Sequence, residues 1–266
     1  MSSAEDWATA IRCTDILLRG HRRASPEDEP TLLVQRVARN LTLCGSPAEH
    51  FSQQMPVWTP RTREEEGLHP IDVLYGRYDP TTRSIEVFVN RIRQDASAFG
   101  AQPHELLEII RIHEHVHAVV HLGSRADDVH KHLSTFRENS KTAWPEFVDE
   151  RTSWFSQLPT ELHEFLAQAL TYAALSQLSA PRRSERLRDV FAALEAKQPS
   201  CYKLSSSVKQ CAAASDWPLV LDAARGAIDC YRGRDFVLSA GLEALVCSAA
   251  EARAAADPPP ETAAGG

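Results

Sequence analysis

The residues best able to do chemistry stand together in His113-Glu114-His115-Val116-His117, which contains H-E-x-x-H as His113, Glu114 and His117. On a helix, positions i and i+4 lie on one face a turn apart, so the two imidazoles can grip one divalent ion from the same side. Glu114 falls about 100° round the axis from His113, beside such an ion rather than on it. A carboxylate placed there can take a proton from a metal-bound water and hand it to a leaving amine. With eleven histidines in the chain, the pattern would arise by chance on the order of a few hundredths of a time.

Geometry sorts the neighbouring histidines. His115 is about 200° from His113, which predicts a packing or surface role. His121 keeps the phase of His113 and His117 but lies roughly 12 Å along the axis from His113, too far for both to reach one ion at about 2.1 Å. It is expected at the pocket rim beside the ion, or as a helix-end histidine interacting with the dipole.

A catalytic zinc usually takes three protein ligands and a water. The metzincin solution would place a histidine six residues after His117, and that position is Gly123. The third ligand must therefore come from another segment. Glu164, in Leu162-His163-Glu164-Phe165-Leu166-Ala167-Gln168, is the leading candidate, because a carboxylate in a largely apolar helix is costly unless paired or metal-bound. Glu161, His163 and the acidic run Glu146, Asp149, Glu150 are the alternatives. In a further reading Glu164, Gln168 and Thr171 are simply the solvated stripe of their helix. Asp127, Asp128, His130 and His132 read as a solvated loop rather than a second metal site.

The elements that must position these residues follow from periodicity. Leu106, Leu107, Ile109, Ile110, Ile112, Val116, Val119 and Val120 predict a helix buried on most sides from about Pro103 to Leu122, with Pro103 suited to its first position and Gly123 to its stop. Before it, Ile71 to Tyr78 and Ser84 to Asn90 read as two strands. They are joined by the turn Asp79-Pro80-Thr81-Thr82, with Ile85, Val87 and Val89 on one face at period two. If Ser84 to Asn90 is an edge near the cleft, it can align an extended peptide by strand addition. Ser124 to Asp149 is a long polar excursion that suits a lid. Pro159-Thr160 opens a second helix to about Leu178, carrying Glu164, and helical patterns continue after Pro181.

The resulting expectation is an α+β, mostly helical chain. Residues 1–60 form an N-terminal helical segment, 61–180 the core around the H-E-x-x-H helix, 181–253 a C-terminal helical region and 254–266 a disordered tail. The chain has 266 residues, 43% hydrophobic and 24% charged, which is ordinary globular composition. Net charge is −7, which argues against a broad nucleic-acid footprint. No apolar run approaches the roughly 18 to 20 residues of a membrane span. The polar N-terminus lacks a signal pattern and the six cysteines contain no C-x-x-C, so a cytoplasmic protein with reduced thiols is expected.

The order of hairpin, H-E-x-x-H helix and a later helix with Glu-x-x-Ala-Gln resembles the small intracellular zinc peptidases of the gluzincin clan, including those that cleave repressors. The matching pieces are Tyr75-Gly76-Arg77-Tyr78 through Ile85-Glu86-Val87-Phe88-Val89, then Ile112 to Ala118, then His163 to Gln168. They cover about Pro70 to Leu178, under half the chain. The resemblance implies a zincin-like core, Zn²⁺ on His113, His117 and Glu164, Glu114 as general base, and a peptide or protein substrate. A donor for the oxyanion is also needed; His163 and Tyr172 are the candidates, with Tyr172 also reading as core. Two other classes stay open: a catalytically silent zinc-binding regulatory module, and a helical interaction protein without metal.

Overall fold

A computed structural model describes residues 47–122, 152–176, 178 and 180–214. The helical readings before residue 47 and after 214, the excursion from Ser124 to Asp149 with its acidic and histidine residues, Gly123 and the tail lie outside the described residues.

Within them the chain is α+β and mostly helical. In order come β1 (Ala48–Ser52), a short helix α1 (Ile71–Leu74), β2 (Gly76–Asp79), β3 (Ser84–Phe88), α2 (Val89–Asp95) and the long α3 (Pro103–Leu122). A helical turn at 152–156, termed α4, precedes α5 (Thr160–Ser176), α6 (Pro181–Ala196) and α7 (Ser206–Ala214). The chain divides into two compact units, Met1–Leu204 and Ser205–Gly266; α7 is the described part of the second. Among the described residues no helix is long and apolar enough to cross a membrane.

The three strands form one sheet in the order β1-β3-β2. β2 and β3 pair antiparallel, Gly76 opposite Val87 and Tyr78 opposite Ile85, as the hairpin reading requires. Their turn closes as its residue types predict: Asp79 Oδ1 accepts from the Thr81 and Thr82 amides at 2.8 and 3.3 Å.

Three expectations are corrected here. Ile71 to Leu74 is a helical turn, not the start of a strand. Pro70 stands before it with fixed φ, and a helical turn buries Ile71 and Leu74 together at spacing three. Val89 keeps the period of Ile85 and Val87 but opens α2. The expectation of helical pieces throughout residues 1–60 fails at Ala48–Ser52, which pairs parallel with β3 from Ala48↔Ser84 to Ser52↔Phe88. That pairing occupies the second side of β3, so β3 cannot align a peptide. Among the described residues the outer strands are β1 and β2.

β1 is mostly exposed and has no apolar alternation, so pairing and charge hold it. Glu49 takes a two-point contact from Arg111 of α3, Nε to Oε1 at 2.7 Å and the terminal nitrogen to Oε2 at 2.5 Å. The Arg111 side chain is wholly enclosed.

α3 is the central element. The Gln102 amide donates to Glu105 at 2.8 Å at its start, and the sheet, α5 and α6 pack around it. Leu106, Leu107, Ile109, Ile110 and Val120 are fully buried. Its first turns are tied to α6 through Glu105–Arg186 at 2.7 Å and Glu108–Arg183 at 2.5 Å. At the other end of α6 the Gln198 side chain donates to the His69 carbonyl at 2.8 Å, and the His69 amide donates to the Lys197 carbonyl at 2.7 Å. The chain is thereby pinned just before α1. Tyr75, which follows α1, donates to Asp95 at 2.9 Å, and Asp95 also accepts from Arg91 at 2.7 Å.

Candidate metal centre

α3 and α5 bring three side chains to one point. His113 Nε2 lies 3.2 Å from His117 Nε2 and 3.2 Å from Glu164 Oε2, and His117 Nε2 lies 3.5 Å from Glu164 Oε1. Tetrahedral bonds near 2.1 Å would separate ligand atoms by about 3.4 Å. Among the described residues these three form a buried group able to hold a metal ion. The donor set fits a divalent ion: two ring nitrogens face each other across 3.2 Å beside a carboxylate in an enclosed space. Burial drives both rings toward the neutral, lone-pair-bearing form, with His113 pushed down to about 4 and His117 to about 3.

The reading of Glu164, Gln168 and Thr171 as a solvated stripe does not hold. Their residues are 4%, 0% and 0% exposed. The stripe is polar and interior, and both amide atoms of Gln168 and the Thr171 hydroxyl lack a hydrogen-bond partner. Burial raises the Glu164 carboxyl, with His117 opposing it.

Glu114 is wholly enclosed, and neither carboxylate oxygen has a hydrogen-bond partner. Burial first, then the charges of Glu164 and Asp72, hold it well above the usual carboxylate range. β2 passes over it at close quarters: a Cβ built on Gly76 would lie 2.9 Å from Glu114 Cγ and 3.0 Å from Ile110 Cγ2. No side chain larger than hydrogen fits between strand and helix at that point without displacing one of them.

The remaining histidines are engaged elsewhere. His121 is fully buried, with Nδ1 at 2.8 Å from the Tyr78 hydroxyl and Nε2 at 3.0 Å from Thr152 Oγ1. It is not one of the three converging side chains. His115 points its Nδ1 at the Arg111 carbonyl, 2.7 Å away, and lies 3.9 Å from Glu49. His163 donates from Nε2 to the Phe155 carbonyl at 2.9 Å, so its neutral ring offers only an acceptor at Nδ1. Its ring centre lies 6.3 Å from that of His117 and 4.1 Å from Phe155. Tyr172 is half-buried and packs on Phe191 of α6 with ring centres 5.9 Å apart.

Two residues absent from the sequence reading belong to this neighbourhood. Asp72 of α1 is half-buried, and its carboxyl is raised to about 6 by burial and by the charge of Glu164. Tyr202 donates its hydroxyl to Asp72 Oδ1 at 3.2 Å. Neither carries a motif, and only the fold brings them to α3 and α5.

Compared with known proteins, the chain matches no family, no curated protein and no solved structure.

Proposed function

We propose that this chain is a zinc-dependent metallopeptidase of the gluzincin kind, with a zincin-like core, acting on a peptide or protein substrate in the cytoplasm. The observation that carries the reading is the triangle of His113 Nε2, His117 Nε2 and Glu164, with edges of 3.2, 3.2 and 3.5 Å, beside an enclosed and unpaired Glu114.

Zinc held there supplies Lewis acidity, polarising a carbonyl and drawing the pKa of a water toward neutrality. The chain itself supplies position and proton transfer. Neutral His113 and His117 present Nε2 lone pairs from one helix face, and Glu164 brings a negative charge from a second helix. Glu114 takes the proton of the attacking water on a carboxylate oxygen and delivers it to the departing amine nitrogen. Its enclosure suits that task, since burial raises a carboxyl's affinity for the proton it must take. Outer strand β2, which crosses Glu114 at Gly76, is the ladder an extended peptide would join.

Metal analysis of protein purified without a histidine tag is expected to give about one zinc per chain. Glu114→Gln is expected to keep that zinc and lose peptide hydrolysis. If Glu114→Gln leaves the biological effect intact, the chain is a silent zinc-binding module. If the untagged protein holds no zinc and takes none up, the reading as a helical interaction protein stands instead.

A further inference from the structure

Glu114 has no hydrogen-bond partner among the described residues, so packing sets where its carboxylate stands. The closest packing is with Gly76, where an added Cβ would lie 2.9 Å from Glu114 Cγ and 3.0 Å from its Oε1. One backbone unit of an outer strand therefore confines this side chain, and an outer strand has a ladder on one side alone. The residue just before that unit is held far more firmly than the ladder requires.

Tyr75 is wholly buried and tied down through backbone and side chain alike. Its amide donates to the Ile71 carbonyl at 2.9 Å and its carbonyl accepts from the Phe88 amide at 2.8 Å, which joins α1 to β3 through one residue. Its hydroxyl donates to Asp95 Oδ2, at the end of α2, at 2.9 Å. His69 Nδ1 lies 2.7 Å from the same hydroxyl. With the phenolic proton directed at Asp95, the ring must supply the hydrogen of that second contact. Phe99 closes edge-on against both rings, its centre 5.5 Å from that of His69 and 6.1 Å from that of Tyr75. Arg91 Nε holds the Asp95 carboxylate at 2.7 Å, and the His69 backbone is fastened to Lys197 and Gln198 just past α6. Burial and the Asp95 charge raise the Tyr75 hydroxyl above its ordinary value, so it stays a donor.

We propose that Tyr75 is a positioning residue for Glu114: its hydroxyl, gripped between Asp95 and His69, fixes β2 so that Gly76 stays closed on the carboxylate. The inference rests on the reading of Glu114 as the base. Hydrogen bonds give the grip a direction, because they weaken steeply as a donor leaves its line. Gly76 follows Tyr75 directly, so a shift of the phenol reaches the strand within one residue. Inward movement is blocked by the contact with Glu114 Cγ, and outward movement frees that side chain to take other rotamers. A base must stand within about 3.2 Å of the proton it takes. A loosened strand therefore lowers the reactive fraction while the three converging side chains, which Tyr75 does not join, keep their places.

The test uses the full-length, untagged, zinc-loaded chain and the best-cleaved member of a quenched fluorescent peptide library. Steady-state constants, zinc content, stability and amide hydrogen exchange over Gly76–Asp79 are measured for wild type, Tyr75→Phe, Asp95→Ala, Asp95→Asn and Arg186→Ala. Tyr75→Phe keeps the ring and removes the hydroxyl. It is expected to lower kcat by about 10- to 100-fold, with any rise in KM smaller than that fall, to keep its zinc and to speed exchange along β2. Asp95→Ala should act in the same direction. Asp95→Asn, whose amide oxygen still accepts the phenolic proton, should recover most of the loss. Arg186→Ala cuts the tie to Glu105 at the start of α3 and is the stability control, with kcat unchanged. The proposal is overturned if wild type cleaves the peptide while Tyr75→Phe keeps kcat within about twofold, or if the loss is confined to KM. It is equally overturned if zinc is lost along with kcat, or if Arg186→Ala at a similar loss of stability lowers kcat as much, since Tyr75 is then a purely structural tie. If wild type cleaves no member of the library, the peptidase reading itself falls and carries this inference with it.

Discussion

Gly76 and Glu114 meet across the strand–helix contact so closely that a single added carbon on the glycine would stand 2.9 Å from the glutamate Cγ. The contact sets how near β2 runs to the helix that carries both histidines. Gly76→Ala is expected to push the strand or Glu114 aside and to cost about 1–3 kcal/mol, the usual range for overpacking a filled interior. Denaturant unfolding measures the cost. Zinc uptake should survive, because His113, His117 and Glu164 lie outside the clash, while hydrolysis should fall with the displaced Glu114.

Asp72 sets a pH dependence whose sign follows from its raised pKa. A carboxyl at about 6 in the folded chain, against 3.8 ordinarily, contributes fully below pH 3.8, and that contribution is lost as pH rises through 6. Chelator-treated Asp72→Asn should therefore match wild type near pH 4 and exceed it in stability by pH 7. The gain is at most about 3 kcal/mol, the equivalent of the shift. Urea unfolding across pH 4 to 7 checks it, and a gap that shrinks as pH rises would contradict the assignment.

The two imidazoles act in the opposite sense. Their folded values, about 4 for His113 and about 3 for His117, lie below the ordinary 6.5. The stability tied to keeping them neutral is present above pH 6.5 and is lost as pH falls toward 4 and 3. His113 alone accounts for about 3 kcal/mol over that window. The double variant His113→Asn/His117→Asn, freed of both titrations, is expected to show a flatter acid limb than wild type in the same metal-free measurement.

Arg111 and Glu49 bind the outer strand β1 to α3 across 62 residues of sequence. The guanidinium is wholly enclosed, so Glu49→Ala removes a two-point anionic contact from a buried charge. Glu49→Ala is expected to cost roughly 3 kcal/mol and to raise amide hydrogen exchange along Ala48–Ser52 and its partner Ser84–Phe88.

Local patterns were legible wherever a residue's surroundings are set by its own helix or turn. α3 spans Pro103–Leu122 as read from its apolar stripe and its proline start, and the Asp79 turn forms as its residue types require. Elements defined by distant partners were not legible. β1 has no alternation because its position depends on β3 and Arg111 rather than on a buried face. Ile71–Leu74 reads equally as strand or helix until one sees that both of its end residues are buried.

The same division runs through the candidate site. Spacing alone determined that His113 and His117 share a face, that Glu114 stands beside it and that His121 is too far along the axis, because 3.6 residues per turn is a property of the backbone and not of the fold. It could rank Glu164 first among several carboxylates but could not select it, since the choice depends on how α5 crosses α3. Tertiary structure decided that Glu164 faces the two rings, that His163 spends its donor on Phe155, and that Asp72 and Tyr202 come near at all. These are contacts between residues 8 to 130 positions apart, and only packing, which minimises exposed apolar surface over the whole chain, sets them.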